Sequence, residues 1–232
     1  MKEKIYTIPI NEAFAEKCGC PLCRLYGISR DKALDYITGA AMMEPAVRTE
    51  SNKLGFCREH LSYMLTSKKV LPVALMLESH MDEAAKKVYR ESKGVLTRAF
   101  DPEKLAEKAE KLSSSCFVCT RADREMDHYV RNTVYLWETE LDFRTVYAAQ
   151  EYFCLPHMAA LLRFAKKDLS KRELGEFTKV TAEISANYHD KLREELAKFT
   201  RSFDYRFAAD AKDPRVKASA ENTAAYLEGG TK

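Results

Sequence analysis

The sequence is short of residues that interrupt regular structure: 232 residues contain only 8 glycines and 7 prolines. That scarcity excludes collagen-like and low-complexity chains and leaves room for long uninterrupted elements. Strand-like alternation of apolar and polar residues is missing too, so the expected class is all-α. No run approaches the ~20 apolar residues of a membrane span, and Met1 to Tyr6 lacks the apolar stretch of a signal peptide. The expected location is the cytoplasm, with no membrane partner. Neither sign of charge dominates: 38 Lys and Arg stand against 35 Asp and Glu, a net +3, which makes no strong case for nucleic acid or an anionic membrane as a partner, so nucleic acid is not an expected one. A glycine-rich phosphate loop and a nucleophile elbow are both lacking, so no enzyme motif has positive support.

What the sequence does have is one ligand pattern in two copies. Cys20-x-x-Cys23 is followed by Cys57-x-x-His60, and Cys116-x-x-Cys119 by Cys154-x-x-His157. Phe56 and Phe153 precede the second halves, and the first and third cysteines of the two copies are 37 and 38 residues apart. Cys-x-x-Cys offers two thiolates from one compact turn, and Cys-x-x-His at i, i+3 puts both side chains on one face of a helix start. The eight residues predict two Cys3His sites and two zinc ions per chain. Each zinc would pin a loop to a helix start. Four protein ligands fill the tetrahedral preference of zinc, which marks a structural site. In a reducing compartment, six of seven cysteines at such spacing fit metal better than disulfides. Equal spacing favours one site per repeat; the alternative exchanges the pairs, joining Cys20 and Cys23 to Cys154 and His157. Arg24, Lys53, Arg58 and Arg121 lie near enough in sequence to offset the negative charge of such centres.

The unmatched cysteine is Cys18, opposite Ser114 in the second copy. It is a spare thiol beside the knuckle, an alternative ligand that could exchange with Cys20, or a resolving thiol that lets oxidation expel the metal. Cys20-Pro21-Leu22-Cys23 has the form of a glutaredoxin-like motif, but the strand and sheet of that fold are absent.

The elements follow from periodicity and breakers. Ile5 to Ile10, with Pro9, reads as an extended arm, and Asn11 as the cap of a short helix to Lys17. Leu25 to Ala41 carries a helical stripe that Glu44-Pro45 ends. Pro45 to Leu54 forms a short helix capped by Gly55, and a metal-bearing helix begins near Cys57. A core-facing stripe runs from Leu77 to Ala99. Asp101-Pro102 starts a helix that Ser113 to Ser115 closes. Met126 to Leu141 marks the next helix, and Leu174 to Phe203 a last one of about 34 residues, roughly 50 Å. Asp213-Pro214 opens a short helix to Leu227. The expected domains are repeats at 1–100 and 101–207 with a tail at 208–232, in an elongated helical bundle.

Three histidines outside the quartets, His80, His128 and His189, have carboxylates close by, which makes a separate metalloenzyme site an alternative. Lys86, Lys87, Arg90, Lys93 and Arg98 form one basic stretch and Lys166, Lys167, Lys171 and Arg172 another. Both are diluted by acidic residues and read as solvated helix faces.

The run Met43-Glu44-Pro45-x-x-Arg48-x-x-x-Asn52-x-x-Gly55-Phe56-Cys57-x-x-His60, echoed by Phe153-Cys154-x-x-His157, resembles an uncharacterised bacterial family of the Firmicutes type, a domain of unknown function with duplicated Cys-x-x-Cys and Phe-Cys-x-x-His repeats. The resemblance implies bacterial origin, a cytoplasmic location and a duplicated cysteine-rich helical fold. It brings no activity, and Cys18 departs from it. The function expected is a binding or regulatory module for a protein or small-molecule partner. The alternative is a thiol-based sensor that releases zinc through Cys18, Cys20 and Cys23.

Overall fold

The computed structural model describes residues 4–16, 19–90 and 100–229. Twelve α-helices carry these residues, with 3-10 segments at Ala40–Met43 and Tyr205–Lys212 and a π-helical segment at Ala85–Arg90. There is no strand among the described residues, so the class is all-α. None of these helices is long and apolar enough to cross a membrane.

The chain separates into two compact units, Met1–Gly27 with Glu125–Lys232 and Ile28–Arg124. In sequence the second is inserted into the first, a division different from the expected 1–100, 101–207 and 208–232. Local breakers such as Asp101-Pro102 mark where a helix starts. The grouping of helices depends on which apolar faces meet.

In the outer unit, α1 (Lys4–Ala15) replaces the expected extended arm. Pro9 lies inside it and removes one backbone donor, a placement that costs about 3 kcal/mol in an ordinary helix interior. The offset is burial: Ile10, Ala13 and Phe14 fall at i, i+3 and i+4 and are 0–2% exposed. Phe14 meets Phe143, Tyr147 and Phe153 at ring distances of 5.1, 5.9 and 6.2 Å. The same core takes the start of α2 (Pro21–Thr38) and the later turns of α7 (Phe117–Thr139), followed by α8 (Leu141–Ala148) and α9 (Leu155–Asp168).

The longest helix, α10 (Lys171–Arg201, 31 residues), starts with Ser170, whose side chain accepts from the Glu173 N–H and donates to the Glu173 carboxylate at 2.6 Å. Phe177, Thr181, Ile184, Ser185, Tyr188 and Leu192 form its buried stripe. The helix ends before Phe203, which is exposed. Trp137 meets Phe177 edge-on at 5.1 Å, and the buried Tyr147 hydroxyl bonds Thr181 Oγ1 at 2.8 Å. Helices α11 (Pro214–Lys217) and α12 (Ser219–Glu228) return onto α10.

The inner unit contains the rest of α2, then α3 (Pro45–Leu54), α4 (Arg58–Thr66), α5 (Val70–Ala84), α6 (Pro102–Ser113) and the first turns of α7. Pro45 at the first turn and Gly55 at φ 62° bound α3 as the sequence predicts. Asp101 caps α6 by accepting from Glu103 and Lys104 N–H groups. Helix α5 gives way to the π-helical segment after Ala84, earlier than its stripe suggests; Val95 and Ala99 lie outside the described residues. Ile37, Val47, Met64, Val73, Met76 and Phe117 form the core here.

Candidate metal centres

All four ligand pairs stand at helix starts. Cys20 precedes Pro21, the first residue of α2, and its carbonyl accepts from the N–H groups of Cys23 at 3.1 Å and Arg24 at 3.4 Å. Cys116 holds the same place before α7, accepting from Thr120 N–H at 3.0 Å. Cys57 and Cys154 are the capping residues of α4 and α9, with extended backbones (ψ 161° and 155°), and His60 and His157 follow in the first turns.

The pairs assemble as Cys20, Cys23, Cys154 and His157 in the outer unit and as Cys57, His60, Cys116 and Cys119 in the inner one. This is the exchanged arrangement, so the expectation of one site per sequence repeat is corrected. The pinning differs as well: each cluster joins two helix starts rather than a loop to a helix. Spacing could not choose between the pairings, because both give the same four donors. Packing chooses. Phe153 sits in the outer core 4.8 Å from the Tyr147 ring, and its carbonyl accepts from Ser185 Oγ at 3.3 Å. On the inner side, Phe117 N–H donates to Gly55 carbonyl at 2.9 Å and Ser115 Oγ to Leu54 carbonyl at 2.8 Å, which lays the Cys116 segment beside the Cys57 segment.

Within each cluster the ligating atoms lie within 4.8 Å of one another. His157 Nδ1 is 3.7, 3.4 and 3.1 Å from the sulfurs of Cys20, Cys23 and Cys154, and Cys23 and Cys154 sulfurs are 3.5 Å apart. His60 Nδ1 is 3.2, 3.4 and 3.3 Å from Cys57, Cys116 and Cys119, with Cys57 and Cys119 sulfurs 3.9 Å apart. A tetrahedron with metal–sulfur and metal–nitrogen distances of about 2.3 and 2.0 Å has edges of roughly 3.5–3.8 Å. These clusters are close to that size. The same separations are far from the ~2.05 Å of a disulfide, and the six cysteines are free thiols.

The electrostatics of the sulfurs are compatible with a cation between them. Burial pushes the Cys20 thiol up, yet hydrogen bonds from Cys154, Cys23 and His157 hold it well below the ordinary thiol range. Its neighbour Cys154 is driven up by those same bonds to Cys20 and Cys23 and by burial. In the inner cluster, burial and the adjacent Cys116 and Cys57 push Cys119 up. One thiolate therefore suppresses the next, and three can coexist only around a positive ion. Burial pulls His60 down, which favours the neutral imidazole that a metal requires. Two helix N-termini meet at each cluster, and their positive ends favour thiolate.

The clusters differ in cover. Cys20, Cys23 and Cys154 are 2%, 6% and 0% exposed, whereas Cys57 and Cys119 are half-buried. Gly229 closes over the outer cluster, where a β-carbon would come within 3.9 Å of both the Cys23 and Cys154 sulfurs. Sequence reasoning missed that contact; the only signal was a glycine at a helix end. The outer nitrogen of His60, Nε2, is buried without a hydrogen-bond partner among the described residues.

Other candidates stay apart from the clusters. His80 Nδ1 lies 3.1 Å from Asn52 carbonyl, His128 stacks on Tyr6 at 5.0 Å, and His189 is next to Asp190 at 3.4 Å. Among the described residues they join no group of metal-ligating side chains. Arg24 pairs with Glu16, and Arg121 lies over the Tyr36 ring at 4.3 Å. Lys86, Lys87 and Arg90 belong to the π-helical segment, Lys166 and Lys167 to the end of α9, and Lys171 and Arg172 to the start of α10. Cys18, Lys93 and Arg98 lie outside the described residues.

A helical chain with two Cys/His clusters able to hold metal is the class that this geometry defines. The chain belongs to a family of unknown function, DUF6062, which matches residues 1–232. No curated protein and no solved structure matches it.

Proposed function

We propose that this protein holds two zinc ions in closed structural centres and serves as a binding or regulatory module for a protein or small-molecule partner. The observation that carries this reading is the donor set: three thiols and one imidazole nitrogen at near-tetrahedral separations in each cluster. Sulfur-rich tetrahedral sites favour zinc over harder cations. Bound zinc would supply charge neutralisation and a cross-link between two helix starts. The chain's own part is to present Nδ1 rather than Nε2 from each histidine, which the Cys-x-x-His spacing at a helix start brings toward the cysteine of the same turn.

A sensor that works through Cys20 and Cys23 has burial against it, since oxidants reach buried sulfurs slowly. The test is elemental analysis of the untagged, reduced protein. The expected result is two zinc per chain; iron, or fewer than one metal, would overturn the reading.

A further inference from the structure

The inner unit contains a cavity of about 470 Å3 that the metal clusters do not use, walled by α3, α6 and the π-helical segment. That volume is within the roughly 300–1,000 Å3 of small-molecule sites. Lys53, Lys87, Lys108 and Lys111 line it against a single glutamate, Glu107, so the lining by itself matches the +3 of the whole chain. Lys87 is committed to Glu83 at 3.0 Å. Lys53 and Lys111, both exposed in the last turns of their helices, have no ion-pair partner among the described residues. Helix C-termini repel anions, so these two ammonium groups decide whether an anion can enter. Leu54 and Leu112 add apolar surface to the same lining.

We propose that this cavity binds a small organic phosphate, its phosphoryl group held by Lys53 and Lys111 and its apolar body resting on Leu54 and Leu112. Lysine is suited to this as a mobile point charge. The site is linked to metal, a link that rests on the proposed zinc reading. Leu54 and Ser115 line the cavity, are hydrogen-bonded to each other at 2.8 Å, and lie three residues before Cys57 and one before Cys116. Metal that clamps Cys57 to Cys116 therefore also sets the cavity wall. By linkage the ligand must in turn favour metal retention.

The test titrates the zinc-loaded full chain with 1-naphthyl phosphate by calorimetry, with inorganic phosphate as the second probe. The expected result is one naphthyl phosphate per chain, weaker binding of inorganic phosphate, and a Lys53→Gln/Lys111→Gln variant weakened about tenfold, as loss of two charge contacts predicts. No binding, or equal binding by variant and wild type, overturns the site. The linkage is read as the zinc affinity, measured at equilibrium against a chelator, of a Cys154→Ser chain, which keeps only the inner cluster intact. Naphthyl phosphate should shift that affinity several-fold tighter; an unchanged affinity overturns the link. Metal content measured on the same sample separates the two readings. Two zinc ions without phosphate binding sink the cavity proposal alone, and phosphate binding of equal affinity by a zinc-free chain sinks the linkage.

Discussion

At the scale of single residues the two centres have equal donors and unequal protection. Cys57 and Cys119 are half-buried, while the outer sulfurs are covered. Mild peroxide should therefore release metal in two phases, the inner centre first, as followed with a chromophoric chelator. The assignment is checked with Cys57→Ser and Cys154→Ser, each of which should lower metal content by one per chain. Cys57→Ser should also remove the fast phase, and a surviving fast phase would reverse the order. His60 adds a second asymmetry. A ligating imidazole ordinarily donates its outer N–H to an acceptor that fixes the ring. The buried Nε2 of His60 has none among the described residues, and an unmet donor of this kind costs about 1–3 kcal/mol. The inner centre should thus be the weaker binder in competition with a chelator.

At the scale of elements, much was legible where chain stereochemistry alone decides. Pro45, Gly55 and Asp101-Pro102 placed the ends of α3 and α6 because proline, left-handed glycine and a capping carboxylate act within one turn. Gly55 at φ 62° is the sharpest of these, since a β-carbon there would also come within 2.9 Å of the His80 ring. Gly55→Ala should cost about 1–3 kcal/mol from backbone conformation alone, because φ 62° with ψ −157° is a region that only glycine enters readily. Denaturant unfolding should show the loss, together with weaker metal retention at the inner centre and unchanged retention at the outer. Replacing Asp101 by alanine should cost about 1 kcal/mol, with both metals retained. The first half of helix α1 was not legible, whereas its second half was expected as a helix from Asn11. Pro9 argues locally for an arm, and only the burial of Ile10 and Phe14 against side chains more than a hundred residues away makes a helix there.

At the scale of the molecule, the ligand residues could be read from sequence but their partners could not. Cys57 and His60 offer the same atoms to either Cys-x-x-Cys pair, and the choice is made by Phe153 and Phe117, which anchor their segments in different cores. Thiolate coordination also sets a pH dependence. Protons compete with metal for the sulfurs, so stability supplied by bound metal would be present at neutral pH and lost as pH falls. Thermal unfolding with and without a chelator should differ widely at pH 7 and converge in acid; no difference at pH 7 would show that metal does not hold the fold. An excised chain of residues 28–124 should bind one metal, because it holds all four inner ligands.

The insertion of one unit within the other has a consequence for synthesis. A ribosome delivers Cys20, Cys23, Cys57 and His60 as the first complete Cys3His set, and these belong to different native centres. Cys116 and Cys119 follow some sixty residues later and Cys154 and His157 last. At about 5–20 residues per second the nascent chain spends several seconds with only the wrong quartet available. Early zinc would trap the chain in a mispaired form that must open before either unit can close. A chain truncated at residue 100 should bind one zinc through that non-native set, and full-length protein made in excess zinc should mature more slowly than protein given metal after synthesis.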